Sequence, residues 1–92
     1  MAEILEVNGL DGKTRWYKDG VPHRDDGPAI IGKDGYEAWI KNGEPHREDG
    51  PAIIHPGNIV SWWYEGNRVN LDEIDPSHPL YNRMLVYYTL TT

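Results

Sequence analysis

The sequence predicts a mainly β protein, an antiparallel sheet of tandem β-hairpin repeats with a short C-terminal helix. Three observations predict it. Trp16, Trp39 and Trp62 are evenly spaced, and residues 16–38 and 39–61 are identical at 12 of 23 positions with no gap. Asp19-Gly20, Asp34-Gly35 and Asn42-Gly43 place turn signals at close, regular intervals. Asn-Gly is a strong hairpin signal, because a type I′ turn needs positive φ at both central residues. Between the turns lie short runs with strand character, evenly spaced as in a β meander. A period of about 20–50 residues marks stacked supersecondary units.

Residues 4–7 read as a first strand and residues 9–12 as a turn. Asp11-Gly12 stands one period before Asp34-Gly35, and Val7 one period before Ile30. Residues 1–15 are therefore expected to be a degenerate capping half-repeat, since terminal units face water on one side. Repeat 1 is residues 16–38, repeat 2 is 39–61, and 62–70 is a partial third. Strands are expected over 15–18, 29–31, 36–41, 52–54 and 59–64. Pro28 and Pro51 have no N–H to give a ladder and belong at a strand start or a bulge. The segments HRDDG (23–27) and HREDG (46–50) read as reversals between units. Asp26 and Asp49 there precede a glycine, which favours an Asx turn with positive φ at Gly27 and Gly50. Because strand side chains alternate, Trp16, Trp39 and Trp62 are expected to share one face as a ladder. Tyr17, Ile40 and Trp63 then point to the other.

After Val69 the period fails. Residues 71–92 are expected to cap the array, with Ser77 as N-cap and Pro79 in a first helical turn. Leu80, Tyr81, Met84, Leu85 and Tyr88 follow amphipathic helical spacing. The run from Val86 onward is rich in β-formers, so a strand is the rival for 79–92.

Ninety-two residues suit one domain. With 38% hydrophobic residues, no Phe, 4 Trp and 6 Tyr, the core must be thin and its bulk aromatic. Small domains of this kind gain from association, so a homo-oligomer, a dimer, is expected. The formal charge of −6 disfavours nucleic-acid binding. There are no cysteines, which excludes disulfides and thiolate metal sites. The first residues do not read as a signal peptide and no run is long enough to span a membrane. A soluble cytoplasmic protein is the expectation.

No nucleophile-base pattern, Walker loop or GxGxxG is present, so the chain reads as having no catalytic residues, no metal and no cofactor. His23 and His46, with Asp25 or Glu48, were they to converge, would be the only metal set. The simpler reading is that each imidazole bonds a backbone group of its own repeat. Arg24 and Arg47 each lie beside two carboxylates and are expected to tie their loops. Aromatic residues and Arg are common interface anchors. The candidate binding residues are therefore Trp16, Trp39, Trp62, Trp63, Tyr64, Arg24, Arg47, His23 and His46, with Tyr87 and Tyr88 as further exposed anchors. The first expectation is a protein-binding module. The alternatives are a small, nucleotide-like anion held between Arg and Trp side chains, a structural or assembly component, and phosphate mimicry by the acidic loops.

Tyr36, Glu37, Trp39, Lys41, Asn42, Gly43, His46 and Gly50 give the chain a resemblance to MORN-type repeats, which are β-hairpin units of the same period. Its HR-[DE]-DGPA segment replaces their usual Gly-x-Gly and resembles repeats in uncharacterised bacteriophage and large-virus proteins. The resemblance implies a MORN-like meander. It also implies a viral protein that binds a host defence factor in the host cytoplasm.

Overall fold

The hairpin turns are set locally. Asp19, Asn42 and Glu65 hold the same position in successive units and have φ of 53°, 52° and 49°; the glycines that follow, Gly20, Gly43 and Gly66, have φ of 79°, 81° and 81°. Two successive positive-φ residues form a turn whose twist suits antiparallel strands, and glycine takes the second position without steric cost. The computed structural model describes residues 3–90. Met1, Ala2, Thr91 and Thr92, which fall in the expected capping segments, lie outside the described residues.

The described residues form ten strands and one helix: β1 (Ile4–Asn8), β2 (Thr14–Lys18), β3 (Val21–Pro22), β4 (Ile30–Ile31), β5 (Glu37–Ala38), β6 (Ile40–Lys41), β7 (Glu44–Pro45), β8 (Ile53–His55), β9 (Ile59–Tyr64), β10 (Asn67–Val69) and α1 (Tyr81–Leu90). The main sheet runs β1-β2-β4-β5-β8-β9-β10, with β3 also on β2, and β6 and β7 form a two-stranded ribbon. All pairings are antiparallel, as expected for a hairpin meander. The register repeats with the period of the sequence. Val7 faces Arg15, Ile30 faces Ala38 and Ile53 faces Ser61. Between units, Arg15 faces Ile30 and Ala38 faces Ile53.

Several boundaries differ from the sequence expectation. The run 36–41 is broken at Trp39 into β5 and β6, because its two halves pair with different strands, β5 with β4 and β8 and β6 with β7. The return strands β3, β7 and β10 went unpredicted; each is short and two of them end in proline. The HR segments are not reversals. Tyr17 faces Pro22 and Arg15 faces Ile30, so the chain passes two residues of β2 while eight go by opposite. Six residues are thus looped out of one continuous edge, and the chain rejoins it in the same direction. Gly27 and Gly50 do not take positive φ. Their lack of a side chain makes room for the arginines: a Cβ on Gly27 would lie 3.1 Å from Cζ of Arg24, and one on Gly50 only 2.9 Å from Cζ of Arg47, so each guanidinium would have to shift.

The tryptophans sit where each strand changes partner. The Trp16 N–H donates to Ala29 O while Trp16 O accepts from His23; Trp39 does the same with Ala52 and His46. Ala29 and Ala52 are wholly buried at this close approach. The densest apolar packing lies at the C-terminal end, where Trp62, Val69, Leu80 and Met84 form the buried cluster and Tyr64, Leu71, Ile74 and Tyr87 pack around it. Residues 79–92 resolve as helix over Tyr81–Leu90. The inward stripe is Leu80, Met84 and Tyr87; Leu85 and Tyr88, placed there by spacing, are exposed. Ser77 is not the cap. Its N–H and hydroxyl both donate to Asp75, and these bonds hold the Asp75 carboxyl below its usual range. His78 caps instead, its Nδ1 accepting the Leu80 N–H at 3.0 Å. Among the described residues no helix is long and apolar enough to cross a membrane.

Glu65 is the one non-Asx residue of the three at its turn position. A bulky side chain at positive φ costs about 1 kcal/mol or more, and Asn relieves part of that. Glu65→Asn is expected to stabilise by about 0.5–1 kcal/mol, and a melting curve that rises by a few degrees checks it. Met84→Ala is expected to cost about 2–5 kcal/mol in urea unfolding.

Candidate functional site

The two HR loops build the same structure in successive units. His23 is 3% exposed and its Nδ1 accepts the Asn42 N–H at 2.8 Å. A ring nitrogen that accepts carries no proton, so the proton sits on Nε2, which donates to Asp25 Oδ1 at 2.8 Å. His46 repeats this with the Glu65 N–H at 2.9 Å, and its Nε2 faces Glu48 at 3.5 Å. Each histidine therefore reads the hairpin turn of the following unit. Two backbone bonds reinforce each link: Arg24 N–H to Ile40 O and Gly43 N–H to Pro22 O, then Arg47 N–H to Trp63 O and Gly66 N–H to Pro45 O. The simpler reading of the histidines holds with one correction: the backbone group belongs to the next repeat.

Each arginine folds back over its own unit's tryptophan. Cζ of Arg24 is 3.9 Å from the Trp16 ring centre, and Arg47 is 3.9 Å from that of Trp39. Arg24 also donates to Asp26 at 3.2 Å and to Pro28 O at 3.1 Å; Arg47 donates to Asp49 at 2.8 Å and to Pro51 O at 3.1 Å. Each arginine thus pairs with one of its two neighbouring carboxylates, and the other carboxylate faces histidine. The bond from Arg47 is the main reason the Asp49 carboxyl lies below its usual range, with the field of Arg83 a minor one. The register places Trp16, Trp39 and Trp62 in one row across the sheet, with Ala29 and Ala52 between them, as expected for a shared face. The indoles do not stack on one another among the described residues; Trp16 and Trp39 are each covered by a guanidinium group.

The third unit ends the pattern. Val69 stands where His23 and His46 stand, and Asn70 where Arg24 and Arg47 stand. With no following turn to bond, Val69 packs under Trp62, and Tyr87 of α1 meets the Trp62 ring edge-on at 5.5 Å.

Between the first two loops lies a recess of about 290 Å³ that brings together Arg24, Trp39, His46 and Arg47 of the expected set. A second, of about 440 Å³, lies between Arg47, Trp62 and α1. Trp63 stays apart, its indole N–H on Ser61 at 2.9 Å. Tyr64 and Tyr87 are core packing around Trp62 rather than exposed anchors, and Tyr64 lies 4.7 Å from the His46 ring. Tyr88 is exposed. Lys41 and Arg83 line the first recess and were missed. Lys41 carried a faint signal as the counterpart of Lys18, whereas Arg83 lies outside the repeat and carried none. Among the described residues no group of three or more His, Asp or Glu converges as a metal site.

No family model, curated protein or solved structure matches this chain.

His23→Ala leaves a buried turn N–H unpaired and is expected to cost about 1–3 kcal/mol. His46→Ala is expected to cost less, because His46 is 12% exposed and water reaches its turn; urea unfolding of both variants checks the order. Asp49 has a depressed folded-state value, so its contribution is present at neutral pH and is lost as pH falls through that value. Arg47→Met is expected to move the Asp49 midpoint upward, which carboxyl-carbon NMR titration reads directly.

Proposed function

We propose that this chain is a non-catalytic protein-binding module that accepts a partner strand along β1. One observation carries the reading. β1 is the end strand of the sheet, and Val7 and Asn8 occupy the positions that Ile30 and Ile31 hold one unit later, where they receive Arg15 and Thr14 of the preceding unit. The outer edge of β1 is thus the edge that in the next unit takes an antiparallel strand. Its side chains suit a partner: Leu5 is 58% and Val7 46% exposed, with Ile4 beside them. Edges of this kind add strands from other chains unless charge or proline blocks them.

Support for a non-catalytic role comes from the histidines. Both ring nitrogens of His23 are occupied, so the most buried imidazole has no lone pair left for a substrate proton. The resemblance to phage and large-virus repeats makes a host factor in the host cytoplasm the partner to test. The same edge also serves a second copy of this chain.

Leu5→Lys places a charge on the edge without touching the buried cluster. It is expected to change stability by less than about 0.5 kcal/mol and to abolish both dimer formation in light scattering and retention of a partner on immobilised protein. Unchanged association of the Leu5→Lys protein would refute the β1 edge.

A further inference from the structure

We propose that the recess between the two HR loops binds a phosphate dianion or the phosphate end of a phosphomonoester, through Lys41 and Arg83. This site is separate from the β1 edge and does not depend on it.

The charges around the recess divide into committed and uncommitted groups. Its three carboxylates are held in the loops, Asp25 accepting from neutral His23, Glu48 facing His46 and Asp49 accepting from Arg47, and four cations, Arg24, Lys41, Arg47 and Arg83, line the recess with them. The arginines of the loops are committed as well, Arg24 to Asp26 and Pro28 O and Arg47 to Asp49 and Pro51 O. That excludes them as the free anion grip expected from sequence. Lys41 and Arg83 also line the recess. Both are exposed, and among the described residues neither side chain has a hydrogen bond or an ion pair; Arg83 acts on Asp49 only through its field. Trp39 lines the same recess, and its indole N–H is buried without an acceptor.

Two unpaired cations fit a doubly charged group better than a singly charged one. A phosphomonoester carries about −1.5 to −2 at neutral pH and offers three acceptor oxygens, whereas a carboxylate carries one charge. The volume, about 290 Å³, lies at the low end of small-molecule pockets, so it suits inorganic phosphate or one end of a larger ligand. The net charge of −6 does not prevent this, because distant surface charges are screened over about 8–10 Å at physiological salt. The larger recess against Trp62 is a poorer anion site. Of its cations Arg47 is paired, which leaves Arg83 alone among apolar neighbours such as Val86 and Pro51.

The test is calorimetric titration of the full chain with inorganic phosphate, adenosine monophosphate, phosphoserine and acetate at constant ionic strength. The phosphates are expected to bind, and acetate at least about tenfold more weakly. Lys41→Met and Arg83→Met are each expected to weaken phosphate about tenfold or more, the usual scale for losing one charge-assisted hydrogen bond, with melting unchanged. Lys18→Met, the first-unit counterpart of Lys41, is the control and is expected to bind as wild type. If a Met variant folds poorly, Lys41→Gln and Arg83→Gln replace it. Tighter binding of adenosine monophosphate supports a small-molecule ligand for the site, and tighter binding of phosphoserine supports a modified side chain. Absence of phosphate binding, equal binding of acetate, or full binding by the Lys41→Met/Arg83→Met double variant would overturn the proposal. Leu5→Lys leaves the recess intact, so loss of strand addition and loss of anion binding are separable results.

Discussion

The guanidinium of Arg24 lies over the Trp16 ring, against the bare backbone of Gly27, with its N–H groups on Asp26 and Pro28 O. Arg47 does the same with Trp39, Gly50, Asp49 and Pro51. Much of the remaining structure follows from that contact. A six-residue excursion from a strand edge has a large conformational cost, about 1–2 kcal/mol per residue in backbone entropy. A stacked cation contributes about 0.5–2 kcal/mol and each charge-assisted bond about 1.5–3 kcal/mol. Only by combining them at one residue does the loop hold its shape, and each of the two full repeats keeps the arginine, tryptophan and glycine together.

The excursion also lets one unit reach the next. Looping out brings His23 to the Asn42 turn and His46 to the Glu65 turn. A unit with little aliphatic interior is thereby fixed to its neighbour by directional bonds instead of by a continuous apolar core. Directional bonds tolerate no slip, which accounts for a register that repeats to the residue. Apolar packing concentrates where this device stops. At Val69 and Asn70 there is no following turn, and the helix carrying Leu80 and Met84 covers Trp62, which is 2% exposed.

The two ends of the array therefore differ in kind. The C-terminal end is closed by α1, and the β1 end presents an unpaired antiparallel edge with exposed Leu5 and Val7. A strand edge and an apolar side chain are both satisfied by one more strand, which is why the proposed association falls at β1. Electrostatics follow a similar division. Most charges near the loops hold the loops, and the few left over, Lys41 and Arg83, meet at one recess because the helix folds back across the second unit.

The sequence alone determined the period, the turns and the antiparallel hairpin architecture. These rest on local chemistry: positive φ at Asn42-Gly43, alternation along 59–64, and duplication that forces two segments into one shape. It also identified Arg24, Arg47, His23 and His46 as a linked set, since they recur together. Tertiary structure decided what each of them touches. His23 bonds the turn of the following unit, Gly27 is glycine because of a guanidinium rather than a backbone angle, and the two-residue return strands are visible only through their partners. Arg83 shows the limit most plainly. It lies outside every repeat, and its meeting with Lys41 depends on how α1 packs against Trp62, a long-range contact that no spacing in the chain encodes.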